Sequence, residues 1–202
     1  MHGVNQTSHE IRELKCPFRS SGFTLIELIV VVSLSAMLLA IAVPNMSQFI
    51  QNSRTRSMTF DLHSALAVAR SEALRQRDRV VMCPSTNPAS SNPTCAGATR
   101  DWSTGWLAFV SDDNAFNPAT DLLLKVGTGP IQGLQIRSNS AVVGAFAFRP
   151  DGSLDAAAGA VRIAVCDDRG GAHGIQIDTS SLGASTSWKG TSGQPVNCSD
   201  PA

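Results

Sequence analysis

The 202-residue sequence contains no tyrosine, only 5% aromatic residues and no formal net charge. Because positive and negative residues balance, no long-range field favours nucleic acid or an acidic substrate as a partner. Charge is nevertheless unevenly placed along the chain. Arginines cluster between residues 54 and 79, whereas the region beyond Val80 is mildly acidic. No internal repeat is present.

The signatures of common catalytic and metal sites are also missing. There is no P-loop and no G-x-S-x-G, and Gly127–Pro130 does not continue as G-x-G-x-x-G. No C-x-x-C pair provides zinc ligands. Asp112–Asn114 and Asp167–Asp168 do not follow the calcium-loop pattern and predict turns, and His63 and His173 are isolated enough to be structural. The sequence therefore predicts that the protein is not an enzyme, with no catalytic residue, no metal site and no cofactor.

One long apolar run dominates the first quarter of the chain. From Leu25 to Val43, only Glu27, Ser33 and Ser35 interrupt a series of apolar residues. A helix of about 19 residues spans roughly 28 Å, which is close to the hydrocarbon thickness of a bilayer. A carboxylate in such a helix costs roughly 2.5–3.5 kcal/mol, so Glu27 indicates a function.

The segment before this run has the layout of a cleavable leader. Three basic residues orient it to the cytoplasm: Arg12, Lys15 and Arg19. The small residue Gly22 comes before the apolar run, whereas a secretory signal has its cleavage site after it. Residues 22–27, Gly-Phe-Thr-Leu-Ile-Glu, resemble the class III signal of type IV prepilins and type II secretion pseudopilins. The resemblance implies cleavage between Gly22 and Phe23 by a prepilin peptidase, and N-methylation of Phe23.

Glu27, the fifth residue of the implied mature chain, has two interpretations. The resemblance implies a role in filament assembly, where the carboxylate neutralises the methylated amine of Phe23 on a neighbouring subunit. Alternatively, Glu27 only stabilises the positive end of its own helix, by about 0.3–1 kcal/mol. The surrounding motif favours assembly.

Four of the five cysteines lie in the part that would be exported. Cys16 belongs to the leader and would be removed with it. The other four would enter an oxidising compartment, where disulfides persist, and they allow three pairings. We favour Cys83–Cys95 and Cys166–Cys198, because nearest neighbours close the smaller loops.

Beyond the apolar run the pattern becomes amphipathic. Apolar residues recur at helical spacing, namely Met58, Leu62, Ala65, Leu66, Ala69 and Ala73. They predict one helix from about residue 24 to 77, with a kink at Pro44. Short β-type runs then predict a sheet that covers the apolar stripe: Val80–Cys83, Trp106–Val110, Leu122–Val126, Leu134–Arg137, Ala145–Phe148, Val161–Cys166 and Ile175–Ile177. The polar stretches 84–99 and 179–202 predict loops, each held by one disulfide.

Later motifs extend the resemblance past the anchor. Ala69–Ala73, Val80–Pro84, Trp102–Phe109 and Phe148–Gly152 follow an order similar to that of the GspH/FimT group of minor pseudopilins and minor pilins. The resemblance implies a type IV pilin-like α+β fold, in which a long N-terminal transmembrane and amphipathic helix packs on an antiparallel β-sheet domain. The predicted divisions are a leader (1–22), a membrane half (23–50) and a periplasmic head (51–202). Trp102, Trp106 and Phe109 are predicted core residues.

Arginines near the predicted end of the helix raise a DNA-binding hypothesis. Arg75, Arg77 and Arg79 are spaced to meet phosphates, but cations at a helix C-terminus more often interact with the dipole in solvent. Family members that bind DNA carry Gly-Arg-x-Arg in the tail, where residues 183–186 read Gly-Ala-Ser-Thr. Because both of these tail arginines are missing, DNA binding through Arg75, Arg77 and Arg79 is an alternative hypothesis and not the main one.

Taken together, the patterns predict a structural subunit: a minor pilin or pseudopilin that primes assembly of a type IV pilus or caps its tip. The alternatives are a type II secretion pseudopilin and a DNA-binding minor pilin for natural transformation. The implied partners are other minor and major pilins, the prepilin peptidase and the bacterial inner membrane. A single membrane pass would leave the head in the periplasm, before its transfer to the pilus.

Overall fold

The computed structural model describes residues 22–129, 133–155 and 159–201, without the side chains of 42–45. The predicted leader, except Gly22, lies outside these residues, and Pro44 is among the four whose side chains are not described. The chain divides into two compact units between Pro44 and Asn45. Helix α1 (Leu25–Gln76) contributes residues to both units, so the single long helix is confirmed.

The second part of α1 is amphipathic because one of its faces is buried. The six buried apolar residues of this part are Met58, Leu62, Ala65, Leu66, Ala69 and Ala73, which are the residues that the spacing predicts. Thr55 and Thr59 are buried on the same side. The hydroxyl of Thr59 donates to the carbonyl of Thr55 at 2.8 Å, which satisfies it inside the helix.

Eight strands follow the helix and form two antiparallel sheets. The strands are β1 (Val80–Pro84), β2 (Gly105–Val110), β3 (Leu122–Thr128), β4 (Leu134–Ser138), β5 (Phe146–Phe148), β6 (Val161–Asp167), β7 (Ile175–Thr179) and β8 (Ser185–Lys189). One sheet has the order β3-β2-β1-β5, and the other has the order β4-β6-β7-β8. The predicted α+β class, with a long N-terminal helix followed by antiparallel strands, is thus confirmed.

The buried stripe of α1 and the inner faces of both sheets form one core. Val80, Met82 and Phe146 contribute from the first sheet, and Ile163 and Ile177 contribute from the second. Since strand side chains alternate between faces, the residues in between point away from the helix and need a separate cover. The helix therefore supplies the surface on which two sheets meet.

Each sheet has an outer apolar cluster that is covered by a polar segment. On the first sheet, Leu107 and Phe109 pack with Phe116 and Cys95, and Cys83 is bonded to Cys95. The second sheet has a matching arrangement. Cys166 packs with Val196 from the C-terminal tail, and Cys166 is bonded to Cys198. Both bonds are the pairings favoured by loop length.

Strand β8 lies within the stretch predicted to be a loop, so that part of the prediction is wrong. Its sequence, Ser-Thr-Ser-Trp-Lys, contains no aliphatic residue and gives no apolar alternation. The strand forms because its backbone pairs with β7 from Ile175↔Lys189 to Thr179↔Ser185. In addition, the indole N–H of Trp188 donates to Asp178 at 2.9 Å. Long-range pairing rather than composition determines this strand.

Candidate assembly site

The first turn of α1 begins immediately after the predicted cleavage pair. Gly22 and Phe23 precede the helix, and Thr24 caps it, because the backbone N–H of Glu27 donates to Thr24 Oγ1 at 3.3 Å. Thr-x-x-Glu at these positions is the sequence pattern of a capping box, so this cap was readable from the sequence. Cleavage after Gly22 would leave a new amine one residue before a capped helix.

The apolar segment of α1 is exposed from Leu25 to Ile41. It is long and apolar enough to cross a membrane. Its polar side chains are compatible with lipid, because Ser33 Oγ and Ser35 Oγ each donate to a carbonyl one turn earlier at 2.8 Å. The segment therefore has the chemistry of a membrane anchor.

Glu27 is the only carboxylate in this apolar segment, and its side chain is exposed. No hydrogen bond or ion pair to its carboxylate is present within residues 22–129, 133–155 and 159–201. An isolated carboxylate at membrane depth is costly, and a cation from outside the chain would lower that cost. The geometry thus leaves Glu27 available to a neighbouring molecule.

At the other end of α1, Arg70 joins the helix to two loops of the head. Its Nε donates to the carbonyl of Gly152 at 3.1 Å, and its Nη2 donates to the carbonyl of Leu182 at 2.9 Å. Gly183, beside Leu182, has φ +77°, and an added Cβ would lie 2.0 Å from the carbonyl oxygen of Gly152. No pattern in the sequence predicts this contact between the helix and two turns.

The three arginines of the DNA-binding alternative have different environments. Arg75 Nη2 lies 2.7 Å from the carboxylate of Glu72. Arg77 follows the helix with φ 55° and is exposed. Arg79 is held by the loop after β2, where its Nη1 donates to the carbonyl of Asp113 at 2.7 Å and its Nη2 donates to Asn114 Oδ1. These contacts hold the guanidinium of Arg79 against the loop, so the three side chains do not form one free cationic patch.

A cluster of polar side chains connects α1, near Asn52 and Thr55, to the end of β6 and the loop after it. Arg169 Nη2 lies 2.5 Å from Asp167 Oδ2 and 2.9 Å from Asn52 Oδ1. The hydroxyl of Thr55 lies 3.2 Å from Asp167 Oδ2. Burial raises the pKa of the Asp167 carboxyl, but the hydrogen bonds from Arg169 lower it by a larger amount. The pKa of Asp167 therefore lies below its usual range. The signal in the sequence for this cluster was Thr55, a polar residue at helical spacing from the apolar residues Met58 and Leu62.

The predicted core aromatics and isolated histidines have no site-like arrangement. Trp102, Trp106 and Phe109 are buried, and the ring of Trp102 packs against Phe146 with centroids 5.6 Å apart. His63 lies 3.4 Å from the carbonyl of Ser185. In the described part of the chain, no three side chains of His, Cys, Asp or Glu are grouped to hold a metal ion.

Comparisons with known proteins agree with these features. The family described as Type II transport protein GspH matches residues 59–183, which is more than half of the chain. The prokaryotic N-terminal methylation motif matches residues 17–43. This chain belongs to the GspH family. The family consists of structural pilins rather than enzymes, and its members are minor pilins and pseudopilins. No curated protein gives a significant sequence match.

Solved structures support the fold of this GspH-family chain. Two crystal structures of the type IV minor pilin FimU from Pseudomonas aeruginosa, in different crystal forms, are similar to this chain. One has a TM-score of 0.55 and 21% identity, covering 74% of this chain and 98% of FimU. The other has a TM-score of 0.50 and 20% identity, and the match covers 66% of this chain and 91% of FimU. At these identities the similarity establishes the fold alone.

Proposed function

We propose that this GspH-family chain is a minor pilin that primes assembly of a type IV pilus or caps its tip. The observation that supports its role as a filament subunit is the N-terminal arrangement. Gly22 and Phe23 directly precede a capped apolar helix whose single carboxylate, Glu27, has no partner within the described residues. A methylated amine on Phe23 of an adjacent subunit is the cation that would pair with it in lipid. The sites at Gly22, Phe23 and Glu27 are part of this proposal.

The proposal assigns a location to each part of the chain. Prepilin peptidase would remove 1–22 at the inner membrane, and the apolar segment would anchor the mature subunit there. The head, with its two disulfides, would lie in the periplasm, where such bonds form and persist. Other minor and major pilins would then contact the subunit as it enters the filament.

Processing is tested by mass spectrometry of the chain extracted from membranes of its native host. We expect an N-terminal peptide that begins at a methylated Phe23. Deletion of the prepilin peptidase should restore the peptide beginning at Met1. An N-terminus that retains Met1 in a strain with active peptidase would contradict the proposal.

The role of Glu27 is tested by Glu27→Val, with Glu27→Asp as the matched variant that keeps the charge. Glu27→Val removes a costly carboxylate from the anchor, so membrane insertion should persist. The number of surface pili should nevertheless fall to nearly that of a deletion strain, and Glu27→Asp should restore part of it. Normal piliation with Glu27→Val would instead support a role limited to the helix dipole.

A type II secretion pseudopilin is the second candidate, and the match to the family of Type II transport protein GspH favours it. The two candidates share the anchor, the cleavage site and the fold. They differ in what a deletion strain loses. Loss of pili with normal export of folded proteins supports the pilin, whereas the opposite result supports the pseudopilin.

DNA binding is the less supported alternative, because Arg79 is engaged by the loop after β2 and Arg75 is paired with Glu72. Each phosphate that a protein neutralises contributes about −0.9 to the slope of log affinity against log salt, so useful affinity requires several free cations. We expect the full chain in micelles to bind duplex DNA only weakly at physiological salt. Submicromolar affinity that disappears with Arg75→Ala and Arg77→Ala would overturn this expectation.

A further inference from the structure

The head segment of α1 has a second regular stripe, and all of its residues are exposed. Its members recur at spacings of three, four and seven residues, namely Met46, Phe49, Ser53, Arg56, Phe60, Ala67, Ser71 and Leu74. At about 100° per residue, they lie on the side of the helix opposite the buried stripe. Phe49 and Phe60 are 67% and 72% exposed. We call these eight residues the outer stripe.

The outer stripe has the pattern of a helix-packing surface. Spacings of three and four residues form the seam along which two helices pack side by side, and Ser53, Ala67 and Ser71 are small enough to permit a close approach. From Met46 to Leu74 the stripe extends over roughly 42 Å of helix. A second helix could contact the stripe along this whole length, whereas a lipid surface would contact only a short part of the stripe.

The charge of the outer stripe selects among possible helices. Arg56 lies between Phe49 and Phe60 in a groove that is also lined by Asn52, Ser53 and Ser57. The sequence contains no Asp or Glu between Glu27 and Asp61, and Arg56 has no hydrogen bond or ion pair within the described ranges. Burial of this guanidinium under a second helix would be costly unless that helix supplied a carboxylate.

A second copy that packs its own outer stripe against this one does not supply that carboxylate. An aligned parallel copy would place Arg56 against Arg56. Asp61 is about 100° around the helix from Phe60 and thus lies off the stripe. Glu72 is paired with Arg75, also off the stripe. The outer stripe therefore lacks an acidic residue along its whole length from Met46 to Leu74.

We propose that the outer stripe binds the long helix of a different pilin, one that presents an Asp or Glu to Arg56 among apolar residues. This inference rests on the proposed function and names the chemistry of the neighbouring subunit. It makes the contact heterotypic, because apolar packing attracts any helix while the charge at Arg56 disfavours self-association.

The test is photocrosslinking of the full-length chain in its native host. A benzoylphenylalanine at position 53, in the middle of the stripe, should form an adduct with a protein whose sequence contains the prepilin methylation motif. The crosslinked peptide should lie within about one turn of an Asp or Glu in that partner's long helix. The same probe at position 61, off the stripe, should give little adduct. Adducts that contain two copies of this chain, or lipid, would overturn the proposal.

Charge variants provide the second part of the test. With the probe at position 53, Arg56→Glu should lower the adduct yield by about tenfold, because it places like charges together. Arg56→Lys should retain most of the yield. Arg54→Glu is the matched control, since it makes the same charge change on the same helix about 160° around from Arg56. Equal losses for Arg54→Glu and Arg56→Glu, or no loss for Arg56→Glu, would refute the role of the stripe.

Failure of this inference can be separated from failure of the proposed function. All three variants change exposed side chains, and intact disulfides in non-reducing peptide maps would confirm that the head is folded. If deletion of the chain abolishes pili but Arg56→Glu does not change the adduct, the docking proposal fails and the pilin function stands. If deletion leaves pili unchanged, the pilus function fails, and the adduct still decides whether the stripe binds another pilin.

Discussion

The two parts of α1 belong to one helix, yet they obey different physical rules. From Leu25 to Ile41, apolar residues occur on every side of the helix and all are exposed. In the head part, one face is buried against two sheets, while the outer stripe remains open. A helix that is apolar all round needs an apolar surrounding, whereas an amphipathic helix needs a single packing surface. Substitutions of the same type should therefore have unequal effects in the two parts.

The largest expected difference comes from matched leucine truncations. Leu66 is buried in the core and Leu34 is exposed in the anchor part. Leu66→Ala should destabilise the head by about 2–5 kcal/mol, because it leaves a cavity among well-packed residues. Leu34→Ala should leave the unfolding of the head nearly unchanged. Urea unfolding of the full chain in micelles, followed by tryptophan fluorescence, measures both. Similar losses for the two variants would mean that the anchor part is also packed.

Loss of a disulfide should come next, and it should affect the head alone. Cys166 and Cys198 are separated by 32 residues, so replacing both with Ala should cost roughly 3–4 kcal/mol in the chain-entropy model. The 12-residue separation of Cys83 and Cys95 predicts a slightly smaller loss, roughly 3 kcal/mol. Unfolding of each double variant tests the order. Limited proteolysis should show early cleavage in the tail after Lys189 for the first variant and between Pro84 and Thr99 for the second.

The polar cluster at Asp167 should give a smaller effect that depends on pH. Because the pKa of Asp167 is lowered in the fold, its contribution is present above its ordinary pKa of about 4 and is lost as the pH falls through its folded value. Asp167→Asn should cost roughly 1.5–3 kcal/mol near neutral pH. As the pH falls from the ordinary pKa of Asp167 through its lower folded value, the stability of this variant should approach that of the unmodified chain. A constant difference from pH 7 to pH 2 would exclude the Asp167–Arg169 pair as the cause.

Arg70 and Arg75 give the smallest and most selective comparison. Both lie near the end of α1, but Arg70 donates to two loop carbonyls and Arg75 pairs only with Glu72 on the helix surface. Arg70→Ala should destabilise the head by about 1–2 kcal/mol, because it removes charge-assisted hydrogen bonds. Arg75→Ala should leave the thermal midpoint nearly unchanged, since exposed pairs contribute little. If the two variants behave alike, Arg70 does not anchor the turns at Gly152 and Leu182.

Local signals in the sequence were sufficient for the long helix, the buried stripe and most strands. Apolar spacing identified the residues from Met58 to Ala73 that are buried, because a regular helix places such residues on one side. In β6, the alternating apolar residues Val161, Ile163 and Val165 are the ones that face the core, for the corresponding reason in a strand. The smaller loops likewise favoured the cysteine pairings that the structure contains.

Contacts between distant residues were beyond such signals. The arginines near the helix end look alike in the sequence, yet Arg70 and Arg79 bind loop carbonyls while Arg77 is exposed. Strand β8 has no apolar alternation, and only pairing with β7 reveals it. Which loops come near an arginine depends on how the chain returns to the helix, and composition does not encode that path.

The sequence by itself determined that the chain has a prepilin-type methylation motif followed by an apolar segment long enough to cross a membrane, because both depend only on neighbouring residues. It also determined the amphipathic helix that follows. Only the tertiary structure decided that the strands separate into two sheets that share one core with the buried stripe. The tertiary structure likewise decided that the opposite stripe stays open. A face of a helix is free or covered according to where distant strands pack, and that arrangement exists only in the folded chain.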